Sequence, residues 1–147
     1  MKRWHKIVLG LVVLFGLIQL VPYGRAHTNP PPTGEPAWDS PQTRALAVRA
    51  CFDCHANTTT WPWYSHVAPV SWLVQHDVDE GRGDLNFTEW DATKPAKEAK
   101  EAAGEVEEGD MPPFYYVWMH PDAKLSADEK AALVKGLRAT FGAAEKK

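Results

Sequence analysis

The most continuous apolar run lies at the start of the chain. Residues 7–21 are hydrophobic except for Gly10, Gly16 and Gln19, and the basic leader Met1-Lys2-Arg3-Trp4-His5-Lys6 precedes them. Further on, apolar positions recur at helical spacing, and no segment alternates convincingly enough to be a strand. Ser40-Pro41 reads as an N-cap followed by a first-turn proline, opening a helix over Gln42 to Cys54. A second helix is expected from Pro69 to Glu80, closed by Gly81-Arg82-Gly83. A third runs from Pro95 to Glu108 and stops at Gly109, with Lys94, Lys97, Glu98, Lys100, Glu101 and Glu105 as its solvated face. The last is the best marked. Ser126-Ala127-Asp128-Glu129 is a capping box, and Leu133, Val134, Leu137 and Phe141 form one stripe. Between these lie an aromatic loop, Trp61-Pro62-Trp63-Tyr64, and a short apolar-aromatic segment, Leu85 to Trp90. The pattern predicts an all-α domain of about four helices without internal repeats.

A basic n-region before an apolar run is the layout of an export signal. Gly24-Arg25-Ala26 would permit cleavage before His27. The alternative is an uncleaved anchor, for which Ile7 to Tyr23 is at the short end of the roughly 17–25 residues needed. In both cases the positive-inside rule puts the rest of the chain outside the cytoplasm, periplasmic or anchored to the inner membrane. The expected organisation is a signal or anchor over 1–26, an extended Pro-rich linker over 27–41 and one domain over 42–147. The linker would hold that domain away from a membrane. Of the 16 basic residues, 12 lie beyond the leader, against all 19 acidic ones, a net of −7. That balance argues against a nucleic-acid partner and suits docking to a basic redox partner.

The chemistry is concentrated in Cys51-Phe52-Asp53-Cys54-His55, which holds the only two cysteines. C-x-x-C-H is the attachment signature of c-type haem. Two thiols three positions apart can each form a thioether with one haem vinyl group, and the next imidazole then lies under the iron as proximal ligand. The expected cofactor is one covalent haem c. A thioredoxin-like dithiol would need a strand–helix–strand context, and a zinc site more ligand pairs; the sequence offers neither.

The sixth ligand largely decides function. Met111 is the leading candidate, because it follows a helix stop and precedes Pro112-Pro113, which stiffen the chain where it must turn. His120, Met119, His66 and His76 are the alternatives. Arg82 and Arg49 are candidate partners for the haem propionates. Trp61, Trp63, Trp72, Trp90 and Trp118 read as core packing around a planar cofactor, in preference to an electron relay.

Beyond the haem signature the chain resembles a family of bacterial haem-binding domain proteins, small exported monohaem proteins related in plan to cytochrome c. The matching pieces include Thr28-Asn29-Pro30-Pro31, the run Cys51 to Asn57, Trp61-Pro62-Trp63-Tyr64 and Ala68-Pro69-Val70-Ser71-Trp72-Leu73. Asp77 to Arg82, Leu85 to Trp90, Gly109-Asp110-Met111-Pro112-Pro113, Tyr116 and His120-Pro121 complete the match. The resemblance implies haem c held through Cys51, Cys54 and His55, on a small cytochrome c-like helical fold. It implies no particular physiological reaction.

Two functions follow. The first is an electron carrier with His55 and Met111 as axial ligands and no enzymatic activity. The second is a peroxidase-like enzyme or gas-ligand sensor with an open or displaceable sixth position, His66 or His120 serving as distal acid–base group.

Overall fold

The computed structural model describes residues 2–91, 93 and 97–142. Its helices are α1 (Arg3–Ile18), α2 (Pro41–Ala50), α3 (Phe52–His55), α4 (Val70–Asp84), α5 (Lys97–Glu108), α6 (Phe114–Met119) and α7 (Ala127–Phe141). Short 3₁₀ turns occupy Trp63–His66 and Pro121–Ala123. Among the described residues there is no strand, only an isolated parallel bridge between Gly34 and Glu89. The all-α expectation holds, with more and shorter helices than the periodicity gave. The expected opening at Pro95, the surface position Lys94 and the Lys97 side chain lie outside what is described.

The caps explain where the helices begin. The Ser40 hydroxyl accepts from the Thr43 amide ahead of α2. Ser126 and Glu129 form the full capping box of α7, each side chain accepting from the other's backbone. The expected helix over Gln42 to Cys54 is divided at Cys51, whose φ of −127° breaks the helical path. Helix α4 runs through Gly81 and Gly83 instead of ending there, because Gly81 is needed for a close approach described below. Gly109, at φ +94°, does terminate α5.

Leu46, Phe52, Leu85, Phe87, Val106, Leu133, Val134 and Leu137 form the buried centre, with α5 packed along α7. Phe52, Phe87 and Phe141 stack in succession at centroid separations of 5.5 and 6.1 Å. Trp38 and Trp90 close that stack from the sides. The tryptophan expectation is corrected in part. Trp63 and Trp118 are 77% and 80% exposed and belong to no core. Both lie in short turns of chain whose neighbours Tyr64 and Tyr116 take the inward positions instead.

The Pro-rich segment is extended, yet it is not a free spacer. Thr33 and Gly34 donate to the Thr88 carbonyl, and Trp90 donates back to Gly34. Asn29 donates to the Thr59 carbonyl at 2.9 Å. Prolines keep the strap from folding on itself, so its remaining donors and acceptors are satisfied by the domain. Helix α1 is 16 residues long, about 24 Å. No helix among the described residues is long and apolar enough to cross a membrane.

Helices α2 and α7 meet where Gly136 faces the Thr43 side chain, leaving no room for a Cβ. Gly136→Ala is therefore expected to lower unfolding free energy by about 1–3 kcal/mol through overpacking. Urea titration measures this, and adding Thr43→Ala should recover part of the loss.

Candidate functional site

The haem-type motif is presented by α3, a single turn that packs against α4. At Gly81 the α4 backbone comes so close that an added Cβ would lie 2.7 Å from the Cys54 carbonyl oxygen. The far end of α4 then passes into Leu85, whose carbonyl oxygen lies 3.0 Å from His55 Nδ1. A carbonyl can only accept, so Nδ1 carries the proton and Nε2 keeps its lone pair. This is the arrangement that orients an imidazole and raises its basicity toward a metal. Phe87 N donates to the His55 carbonyl at 2.8 Å and Asn57 N to Thr88 Oγ1 at 2.7 Å, fixing the turn's exit.

Cys51, Cys54 and His55 line one cavity of about 410 Å³, together with Met111, Pro112 and Pro113. That volume lies within the roughly 300–1,000 Å³ typical of cofactor sites. Its apolar wall comes from Ala50, Leu85, Phe87, Ala102, Val106 and Leu137. Both thiols are free, and burial pushes each up to about 12. A redox dithiol needs the opposite shift.

Met111 reaches the cavity because α5 ends abruptly. The amides of Gly109, Asp110 and Met111 all donate to the Glu105 carbonyl, wrapping the chain back over the helix end. The Met111–Pro112 bond is cis, and α6 begins two residues later. Met111 is 37% exposed. The other sulfur and imidazole candidates do not line the cavity. His120 meets the Tyr64 hydroxyl through Nε2 and stacks on Tyr116 at 4.3 Å. His66 sits edge-on to His27, and His76 pairs with Glu80 at 3.3 Å on the surface of α4. Met119 is 47% exposed on α6.

One polar latch joins the Met111 side of the cavity to the cysteine side. Tyr116 donates to Asp53 Oδ2 at 2.7 Å, while Oδ1 accepts from the Thr60 amide at 3.0 Å. Burial, followed by the Asp53 carboxylate, pushes the Tyr116 phenol far above its ordinary value, so it stays a donor. Neither Asp53 nor Tyr116 stood out in the sequence as a site residue. The cue available was that Asp53 is one of the two x positions of the motif.

The expected propionate partners are committed elsewhere. Arg82 donates to the Ala56 and Thr28 carbonyls, Asn29 Oδ1 and Thr59 Oγ1, at 2.8–3.0 Å. Arg49 pairs with Glu129 at 2.8 Å. The cavity lining among the described residues contains no Lys or Arg; it carries Asp77, Glu80 and Asp84 from α4 and Glu98, Glu101 and Glu105 from α5. Burial raises the Asp77 carboxyl above its ordinary value. A haem fits the thiol pair, the imidazole and the apolar wall.

A family model described as a haem-binding domain matches residues 13–139. No curated protein and no solved structure matches the chain.

Gly81→Ala is expected to force α3 and α4 apart, costing about 1–3 kcal/mol. Denaturant titration and haem content per chain should fall together. Tyr116→Phe frees Asp53 from its phenol and should cost about 1–2 kcal/mol in the same titration.

Proposed function

The chain belongs to the haem-binding domain family, and from that premise we propose a monohaem c-type cytochrome that passes single electrons outside the cytoplasm. It is a haem protein; the covalent linkage, the axial pair and the electron transfer are this reading's additions. The observation that carries it is the convergence of Cys51, Cys54, His55 and Met111 on one cavity with His55 Nε2 left free by the Leu85 carbonyl.

Haem, when bound, supplies a one-electron couple at its iron. The chain's own residues do the rest. Cys51 and Cys54 would each hold the haem through a thioether, the thiol adding across a vinyl group and its proton going to the neighbouring vinyl carbon. His55 offers Nε2, its ring held in plane by Leu85. Met111 offers a thioether from a loop braced by Glu105 and two prolines. The apolar wall excludes water, which holds reorganisation on electron transfer low. The six carboxylates on α4 and α5 suit a basic redox partner that docks and leaves at moderate ionic strength. The basic leader ahead of an apolar run supports an extracytoplasmic location for this domain and a role for α1 as a membrane anchor.

A second reading is favoured by one feature. Met111 is 37% exposed on a short loop, so an external ligand could displace it, which would make the protein a gas-ligand sensor or a peroxidase-like enzyme.

Optical spectra of the haem-matured protein decide between the two. A weak red charge-transfer band in the oxidised wild type, absent from Met111→Ala, with carbon monoxide binding only in the variant, is the expected result. A high-spin wild type that binds carbon monoxide readily would reject Met111 ligation and favour the second reading.

A further inference from the structure

Helix α1 buries no residue against the domain. Its apolar side chains point in every direction, Ile7, Leu9, Leu11, Val12, Leu14 and Leu17 among them, each more than half exposed. A helix apolar all round is at home in hydrocarbon or in a protein core, not in water. A partner protein or a second copy would cover one side of it and leave the other wet. Lipid covers all sides. Lys2, Arg3 and Lys6 at one end and Arg25 beyond the other suit phospholipid headgroups, whereas the rest of the chain is acidic.

The exit from this helix is fastened to the domain. The Gln19 amide makes a reciprocal pair with one residue: Nε2 donates to the Ala68 carbonyl at 2.9 Å and Oε1 accepts from the Ala68 amide at 2.9 Å. Arg25 donates to the Gln19 carbonyl. Gly24, at φ +79°, lies against the Ser71 carbonyl where no Cβ would fit. His27 bonds the Ser65 carbonyl at 3.0 Å and stacks on Trp61 at 4.4 Å. From Gln19 onward there is no slack on which the domain could swing.

Around Ala68 the domain exposes Trp63, Val70 and Leu73, and the connecting segment adds Leu20 and Tyr23. The Gln19–Ala68 and Gly24–Ser71 contacts thus bring together two stretches distant in sequence, each carrying exposed apolar side chains, where the helix leaves. The helix is also short, about 24 Å against a hydrocarbon core of about 30 Å, and such a mismatch draws flanking apolar groups toward the bilayer.

We infer that a lipid bilayer covers α1 and that the Gln19–Ala68 clasp pins the Trp63–Leu73 rim of the haem domain against the bilayer surface. The inference rests on the membrane-anchor reading above and goes further: the domain is held at the membrane in one orientation, not displayed on a tether. Trp63 and Tyr23 then occupy the interfacial zone that amphipathic aromatics favour.

The test uses the full haem-loaded chain in phosphatidylcholine–phosphatidylglycerol vesicles, with engineered cysteines at Leu73 on the rim and Lys135 on α7. A membrane-impermeant polyethylene glycol maleimide labels them; Cys51 and Cys54 are occupied by haem. The expected result is several-fold slower labelling at Leu73→Cys than at Lys135→Cys, abolished by Gln19→Ala while the protein still floats with the vesicles. An unchanged haem spectrum and Lys135→Cys rate confirm that the Gln19→Ala protein is folded. Flotation with equal labelling at both positions overturns the pinning and leaves the anchor standing. Failure to float sinks the anchor reading and the inference with it. Protection that follows protein concentration instead of lipid assigns the rim to a second copy and overturns the inference.

Discussion

The whole arrangement depends on how closely α4 can approach the back of α3. A one-turn helix has no internal stability worth the name, since it closes too few hydrogen bonds to offset the ordering of its residues. The turn Phe52–His55 persists because residues 81–88 hold it from behind. Gly81 gives the Cys54 carbonyl room, the Leu85 carbonyl takes the His55 ring proton, and the Phe87 amide takes the His55 carbonyl. Phe52 meanwhile drives into the aromatic stack with Phe87. One segment thus fixes the motif's backbone, the tautomer of its histidine and the core beneath it. Separating these duties would require a larger protein.

Behind that clamp lies a polar layer, which is unusual so near the core of a small domain. Asn57, Thr59 and Thr88 are almost wholly buried. They are tolerated because each is bonded: Asn57 to Glu89 and Asn86, Thr59 to the Asp53 carbonyl, Thr88 to Asn86 and the Asn57 amide. Arg82 spans the layer with four donated bonds and reaches the strap at Thr28 and Asn29. A satisfied network of this kind specifies one geometry where an apolar core would accept several. It is also why the Pro-rich segment is part of the domain: its carbonyls complete the valence of Arg82.

The sequence was legible wherever the chemistry is local. The motif, the Ser40 and Ser126 caps, the Gly109 stop and the Leu133–Phe141 stripe all depend on residues within a turn or two of one another. The place of Met111 on the cavity lining follows from equally local features, a helix stop and two prolines. What escaped depends on contacts distant in sequence. Gly81 reads as a helix terminator until Cys54 is placed beside it. Arg82 reads as a propionate partner until Ala56, Thr28 and Thr59 surround it. The stretch from Thr28 to Gly34 reads as a spacer until Arg82 and Thr88 are seen to hold it. The exposure of Trp63 and Trp118 runs against the ordinary bias of tryptophan toward burial, and composition carries no sign of it.

On the proposed cytochrome reading, the acidic lining would be a second control over the haem potential. A thioether on the sixth position favours the ferrous state, and an apolar wall does the same, because a ferric porphyrin centre carries one more positive charge into low dielectric. Asp77, Glu80, Asp84, Glu98, Glu101 and Glu105 would act in the opposite sense by stabilising that charge, with no Lys or Arg in the described lining to cancel them. At physiological ionic strength the Debye length is about 8 Å, so the carboxylates out in solvent are largely screened. Asp77 is different. Burial raises its carboxyl, and a partly buried charge is screened less than an exposed one. On the proposed reading, a basic partner docking over α4 and α5 would neutralise the outer carboxylates first and shift the balance back toward the ferrous state.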